Sequence, residues 1–465
     1  MGNAAVPRLA AMFVNRVFDD YEKADFNHEP GFLHRQERRA KVSLTPFSDE
    51  GRDLEDAANE LIDALEHDQN LRHPRFYGFI PGPAQSVSWL GDAIAMAYNP
   101  HVGGWNQAPG ASSVEKQVIA WANSVVGLDS SPHAGGIIQS GGSVAGLTVL
   151  TAARDKYVAE QDIPKAVAYL TRQTHSALKK ALHIIGIGSD NIRFVEHDDQ
   201  QRMVIDDLET QIRRDRAAGR VPFVVIGTCG TTNTGAIDPL NAIADVCARE
   251  DLWFHCDGAY GASVVLSDRA HLAAGIERAD SVVWDGHKWL FQVYGCGLVL
   301  VRDQRDLIRS YSAGGEYLQD IQGVAPDPDW WDLGPELTRP ARAPRLWLTL
   351  QSAGVTLISE MVSQSLRRAE RVEERLRGHD RFEITSPASL AIVTFTLIAD
   401  TPQERARRNQ ELARHLRHHN LLGIFTTELD GENVLRITTI SPHESMEDLD
   451  LAMDQMFEAV AELGF

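Results

Sequence analysis

Hydrophobic and polar positions along this chain alternate between two rhythms. Seven short apolar runs rich in β-formers recur at residues 136–139, 166–170, 192–195, 223–227, 252–256, 281–284 and 297–301. Most are separated by stretches whose apolar residues return every three or four positions, at 145–156, 176–185, 208–218 and 240–249. Strands alternating with amphipathic helices predict a largely parallel sheet covered on both faces. Ligands of such sheets sit beyond the carboxyl ends of the strands.

Flanking segments read differently. Leu54, Ala57, Ala58, Leu61, Ile62 and Leu65 fall at helical spacing. Residues 70–110, rich in Gly, Pro and aromatics, read as loops. Ser112 with Glu115 makes a capping-box pattern ahead of a helix through Val118, Ile119, Ala122 and Val125. Residues 311–340, with Gly314, Gly315, Pro326, Pro328, Pro335 and Pro340, read as a long loop of the kind that forms lids. Beyond Pro340 a long helix at 346–377 leads to a strand-rich run at 382–398. A basic helix at 403–419, a strand at 433–440 and a last helix at 446–463 follow. The expected organisation is therefore a helical and loop segment over 1–100, a large α/β domain over 101–340 and a small α+β domain over 341–465.

Composition narrows the function classes. The 465 residues are 43% hydrophobic and 24% charged, ample for a globular core. A net charge of −20 argues against a nucleic-acid surface, while anionic small ligands remain open because local dipoles hold them. Cys229, Cys247, Cys256 and Cys296 give neither a disulfide framework nor a zinc spacing. The longest apolar stretch, 390–399, is far short of the ~20 residues of a membrane helix. The opening MGNAAVPRLAAMFVNRVF lacks the apolar core of a secretory signal. A cytoplasmic protein without nucleic-acid or membrane partners is expected. His415, His418 and His419, beside Arg405, Arg407 and Arg408, read as a solvated helix face, so no metal is expected.

One constellation carries chemistry. Asp257 closes an apolar strand in WFHCDGAYG, and Lys288 closes another in SVVWDGHKWL. With Trp284, Trp289, Leu290 and Phe291 around it, Lys288 is poorly placed for water. Burial disfavours an ammonium and favours the free amine, a nucleophile toward an aldehyde. A buried Asp257 needs a cation or donor, and a plain Asp257–Lys288 ion pair would satisfy both residues. Two further segments argue for more. Gln139-Ser-Gly-Gly-Ser143 lies between a strand and a helix, where backbone N–H groups cradle a phosphate. It has neither the Walker lysine nor the G-x-G-x-x-G spacing, which weakens a nucleotide reading. Gly230-Thr-Thr-Asn-Thr-Gly235 offers hydroxyls after another strand, and His175 can lie against a planar ligand or simply close its own turn. A cradle, an amine, a carboxylate and a flat partner together describe what pyridoxal 5′-phosphate needs.

At these residues the chain resembles the group II pyridoxal-phosphate-dependent decarboxylases, the family of aromatic-L-amino-acid, glutamate and histidine decarboxylases. The resemblance runs from about His73-Pro74-Arg75-Phe76 to the last strand. Its centre is the Asp-x-Ala-Tyr and His-Lys-Trp motifs, 288 − 257 = 31 positions apart. It implies the aspartate-aminotransferase fold (fold type I), with a mostly parallel seven-stranded sheet and a small C-terminal domain. It also implies a homodimer whose N-terminal segments interlock and whose site lies at the subunit interface. Carried over residue by residue, Lys288 would join the cofactor aldehyde, Asp257 would face the pyridinium, and Ala259 and His175 would pack on opposite ring faces. Gly142 and Ser143 would hold the phosphate. Thr232, Asp285 and His287 match further cofactor positions. Phe79, Ile80, Pro81, His101 and Arg436 match substrate positions, Arg436 as a guanidinium suited to a carboxylate.

Three departures qualify the substrate. The stretch matching the family's mobile loop reads Gly323-Val-Ala-Pro-Asp-Pro-Asp-Trp-Trp331, without the tyrosine that protonates the product carbon; Tyr317 lies earlier. A family threonine is Gly82 here, and bulky apolar pocket positions of the animal aromatic enzyme are His101 and Gly103. The expected reaction is removal of the α-carboxylate of an L-amino acid, aromatic or similar, as CO2 to leave an amine. Competing readings are an aldehyde-forming oxidative decarboxylase, a carbon–carbon lyase like sphingosine-phosphate lyase, and a cofactor-holding protein without turnover.

Overall fold

The seven apolar runs pair into one sheet whose strands are buried almost throughout. In the computed structural model, which describes residues 5–22, 42–65, 67–68, 71, 73–312 and 327–465, they are β1 (Gly135–Gln139), β2 (Ala166–Thr171), β3 (Ile192–Val195), β4 (Val221–Thr228), β5 (Trp253–Asp257), β6 (Ser281–Asp285) and β7 (Gly297–Val301). The order is β1-β7-β6-β5-β4-β2-β3. β2 to β6 run parallel, and β7 runs antiparallel to both β1 and β6. Alternate strand residues enter two cores on opposite faces. Ala168, Leu170, Val224 and Ile226 pack with the helices Gly142–Tyr157 and Ser176–Ile184. Val167, Tyr169, Val225 and Phe254 pack with Pro109–Val126, Ile205–Ala217 and Leu240–Glu250. Burial on both faces explains why these runs show no polar alternation.

A second sheet follows. β8 (Phe382–Ser389), β9 (Ile392–Leu397), β10 (Phe425–Leu429) and β11 (Glu432–Thr438) are antiparallel in the order β10-β11-β9-β8. The helices Pro402–His418 and Met446–Glu462 bury Leu412, Leu416, Leu449, Met453 and Met456 against it. The helix Ala343–Arg377 ties the two sheets together. Its Leu346, Ile358 and Val362 sit in a core of the large sheet, and its Ala369, Val372 and Leu376, nearer the C-terminal end, sit in the core of the small one. Gly354, at φ 74°, breaks the helical geometry between Leu346 and Ile358.

Three expectations are corrected. Residues 70–110 are not all loop, because Ser86–Tyr98 is a helix. Its apolar residues are nearly continuous and Trp89, Leu90, Ile94, Met96 and Tyr98 stay exposed, so no helical period is visible in the sequence. Segment 73–82 is held to the second sheet. Phe76 bridges to Gly423 and Thr438 N–H donates to the Tyr77 carbonyl at 3.1 Å, so it lies on the small sheet. β10 escapes the pattern because Thr-Thr-Glu in a five-residue strand carries little apolar signal. The Asp430-Gly431 turn that closes its hairpin, at φ 51° and 83°, was the available clue. Tyr317 and residues 313–326 lie outside the described residues.

Glu115 is the third. The helix starts at Pro109, so Glu115 lies inside it rather than in a capping box. Its carboxylate accepts the Ile138 N–H at 2.8 Å and pairs with Arg339 at 2.7 Å, both side chains being fully buried. Removing one partner strands the other charge in a dry interior. Glu115→Ala is therefore expected to cost about 3–5 kcal/mol of stability, read from the denaturant midpoint.

Candidate active site

β5 and β6 are neighbours in register, with Asp257 opposite Val283, so their carboxyl ends open on the same side of the sheet. Asp257 is the last residue of β5 and only 8% exposed. Its Oδ1 accepts the Ala259 N–H at 3.2 Å, and among the described residues no cation pairs with it. The Ala259 carbonyl in turn accepts the Asp285 N–H at 3.0 Å, which locks the turn after β5 to the end of β6.

Lys288 sits three residues beyond β6, where the connection to antiparallel β7 doubles back over the strand ends. Its Nζ lies 3.1 Å from Asp285 Oδ2, with Asp285 almost wholly buried. The ion pair at this site is thus Lys288–Asp285 rather than Lys288–Asp257. His287 Nε2 approaches the same oxygen at 3.6 Å, and its Nδ1 accepts the Cys296 N–H at 3.4 Å. Burial holds the His287 pKa below its ordinary value despite the nearby Asp285 charge. Asp285 Oδ1 and Thr228 Oγ1 are buried and without partners, which marks both as groups waiting for a ligand or water.

Opposite these side chains begins the helix Gly142–Tyr157. A Cβ added at Gly142 would lie 2.8 Å from Asp285 Oδ2, and one at Gly297 would lie 2.6 Å from Gly141 Cα. Only glycine lets the helix start, the end of β6 and the start of β7 meet this closely. No side chain caps the helix, so the amides of its first turn are available to an anion. Gly142 and Ser143 line the cavity at this point.

A cavity of about 580 Å³ joins these parts. Phe79, Ile80, Pro81, His175, Thr232, Ala259, His287 and Arg436 also line it. His175 caps the helix Ser176–Ile184, its Nδ1 accepting the Ala177 N–H at 3.2 Å. That bond assigns the ring proton to Nε2. Burial, then the positive charge of Lys288, hold the His175 pKa below the ordinary imidazole value. Arg436 spends two of a guanidinium's five N–H donors on backbone, Nη1 on the Thr232 carbonyl at 2.7 Å and Nη2 on the Gly78 carbonyl at 2.5 Å. It therefore holds the wall together as well as facing the cavity, and its burial lowers its pKa.

His101 is not brought to this cavity. It is exposed on a segment held elsewhere, where the Val102 N–H donates to the Arg339 carbonyl at 3.0 Å and the Gly103 carbonyl accepts the Trp331 N–H at 3.0 Å. Trp330 and Trp331 are buried staples rather than cavity residues, Trp330 stacking on Trp105 with ring centroids 6.2 Å apart. Sequence reasoning missed Thr228 and Tyr294 in the lining, where Ser140, Gln173 and Tyr260 of the motifs named above also stand. Each is within a few residues of a motif already singled out, and Tyr294 shares the β6–β7 connection with Lys288.

Residues 44–398 match the pyridoxal-dependent decarboxylase conserved domain, and the chain belongs to that family of pyridoxal-phosphate-dependent carboxy-lyases acting on amino acids. The aromatic-L-amino-acid decarboxylase of Bacillus atrophaeus is 37% identical over 401 residues, 84% of this chain and 82% of that one. The 4-hydroxyphenylacetaldehyde synthase of Rhodiola rosea is 32% identical over 427 residues, 88% of this chain and 84% of that one. The crystal structure of Oryza sativa TDC with PLP and tryptamine superposes with a TM-score of 0.92 at 26% identity, covering 100% of this chain and 99% of that one. The fold is accordingly fold type I.

The residues present fit pyridoxal phosphate: an uncapped helix start for an anion, a carboxylate without a cation, and an amine between them. Gly142→Ala overpacks the helix start against Asp285. It is expected to weaken cofactor retention by about tenfold, a cost of ~1.4 kcal/mol, read by equilibrium dialysis of the purified protein. Lys288→Ala is expected to bind the cofactor only reversibly, losing it on gel filtration along with the visible absorption band.

Proposed function

We propose that this enzyme decarboxylates aromatic L-amino acids to the corresponding amines and CO2. The observation that carries the reading is the cavity wall of Phe79, Ile80 and Pro81 beside Lys288. An apolar, aromatic wall is suited to a flat side chain. The one guanidinium in the lining, Arg436, already has both terminal nitrogens on backbone carbonyls. The names of the Bacillus relative and of the rice structure with tryptamine support the same substrate class.

Pyridoxal phosphate, when bound, supplies a conjugated electron sink for the bond that breaks at Cα. The chain does the rest. The Gly142 and Ser143 amides would hold the phosphate, with Thr232 and His287 beside it. Asp257, oriented by the Ala259 N–H, would keep a proton on the ring nitrogen and so deepen the sink. Ala259 and His175 would pack on the two ring faces. Lys288 would attach and release the aldehyde carbon, and Asp285 Oδ2 would accept the proton that its ammonium must shed. Phe79, Ile80 and Pro81 would exclude water and orient the side chain. His175, when its ring is protonated, would deliver a proton from Nε2 to Cα after CO2 leaves and return to the neutral ring.

A second reading is favoured by the Rhodiola relative's name and by the absence of tyrosine from Gly323 to Trp331. It consumes dioxygen and water with the amino acid and yields aldehyde, CO2, ammonia and hydrogen peroxide. His175 as a proton source favours the amine.

The exposed apolar face of the helix Ser86–Tyr98 supports a homodimer, since monomers rarely leave such patches open. Any role of His101 then lies in the partner's cavity. The four cysteines are free and buried, which fits the reducing cytoplasm. No helix among the described residues is long and apolar enough to cross a membrane.

Incubating the holoenzyme with tryptophan, tyrosine, phenylalanine, glutamate and histidine, while following CO2, amine and peroxide together, tests the assignment. Amine with CO2 from an aromatic acid is expected. Turnover confined to glutamate, or peroxide in step with CO2, overturns it. Because His175 keeps its pKa low, its neutral Nε2–H form persists to lower pH than in free histidine. The donor form is the protonated ring, so kcat for the amine is expected to fall as pH rises through a value below about 6.5. His175→Gln is expected to lower kcat by about 100-fold or more and to raise the peroxide fraction.

A further inference from the structure

A ladder of stacked groups runs from the small sheet into the cavity, and only its last member reaches the ligand space. Arg417, near the end of the helix Pro402–His418, places its guanidinium 4.6 Å from the centroid of the Phe425 ring. Its Nη1 donates to the Ile424 carbonyl at 2.5 Å, which pins it there. Burial lowers its pKa, so the cation is partly stripped of water, the condition under which a cation–π contact strengthens. Phe425 in turn stacks on Phe79 with centroids 5.2 Å apart and planes 13° apart. Phe76 meets Phe79 edge-on at 5.4 Å and 63°. The stack occupies one face of Phe79. Phe79 as a residue is 42% exposed and lines the cavity, whereas Arg417 and Phe425 do not line it.

Backbone register fixes the ladder. Phe425 lies directly opposite Arg436 in the β10–β11 pair. Arg436 reaches past it to the Gly78 carbonyl, and a Cβ on Gly78 would lie 2.3 Å from Phe425 Cδ2. Gly78 is therefore gripped by Arg436 and covered by Phe425. Its neighbour Phe79 leaves this clamp with its ring already oriented.

We propose that Arg417 and Phe425 set the side-chain specificity of the site by presenting Phe79 as the ring on which a flat aromatic side chain stacks. They are positioning residues, acting through Phe79 from the small sheet. The proposal deepens the aromatic reading above and rests on it. Stacking of this kind discriminates flat from branched side chains without touching the α-carbon, so it belongs to binding rather than to the chemical step.

The test uses cofactor-loaded protein and two measurements. Calorimetry gives the Kd of tryptamine and of the aliphatic amine 3-methylbutylamine, and kinetics give kcat and KM for the best aromatic substrate. Phe425→Leu is expected to raise the tryptamine Kd and the aromatic KM by about three- to tenfold. Its kcat should stay within about twofold and its 3-methylbutylamine Kd unchanged. Phe425→Tyr restores wild-type values, and Arg417→Gln shifts both constants the same way by about two- to threefold. Equal losses for the two amines, or an unchanged tryptamine Kd in a folded Phe425→Leu protein, overturn the ladder. Should Phe425→Leu not fold, an unchanged tryptamine Kd in Arg417→Gln overturns it. A wild-type enzyme that binds tryptamine in step with the Phe425 series yet turns over no aromatic acid upholds the ladder and sinks the reaction instead.

Discussion

Two carboxylates and an amine have to be kept at the ends of adjacent, fully buried strands, and much of the molecule serves that arrangement. Asp257 and Asp285 close β5 and β6, and each would be expensive to bury alone. Asp285 is compensated by Lys288 at 3.1 Å. Among the described residues Asp257 has only the Ala259 amide for its carboxylate, and it lines the cavity. A protein that leaves one anion so placed has a use for it, and an aromatic nitrogen bearing a proton is a group that matches both charge and shape.

The antiparallel strand β7 is what makes the arrangement compact. A parallel crossover after β6 would need a helix-length connection. Because β7 reverses direction, residues 286–296 turn back at once across the strand ends and carry His287, Lys288 and Tyr294 with them. The same reversal brings Gly297 against Gly141, so the start of the Gly142–Tyr157 helix is drawn to the carboxylate end of β6. The anion site and the amine are thus positioned by one topological feature.

The small sheet contributes the other wall. Segment 73–82 leaves the N-terminal region, adheres to that sheet through Gly423 and Thr438, and delivers Phe79, Ile80 and Pro81 to the cavity. Arg436 spans from β11 to the Gly78 and Thr232 carbonyls, so it fastens loops from both sheets to each other. Pocket shape therefore depends on how the two sheets sit together, which the Ala343–Arg377 helix fixes by packing on both.

Much of this was legible from the residues alone, for physical reasons. Strands buried on both faces must be continuous apolar runs, so all seven of the large sheet could be read from the chain, and the charged residues closing them identified Asp257 and Lys288 as exceptional. Other features depend on contacts distant in sequence. That Glu115 meets Arg339 rather than capping its own helix, and that His101 lies outside the cavity lining, follow from how distant segments meet. Periodicity reports which face of an element is apolar. It carries no information about which partner, hundreds of residues away, will cover that face, and here that choice decided the ion pairs and the pocket wall.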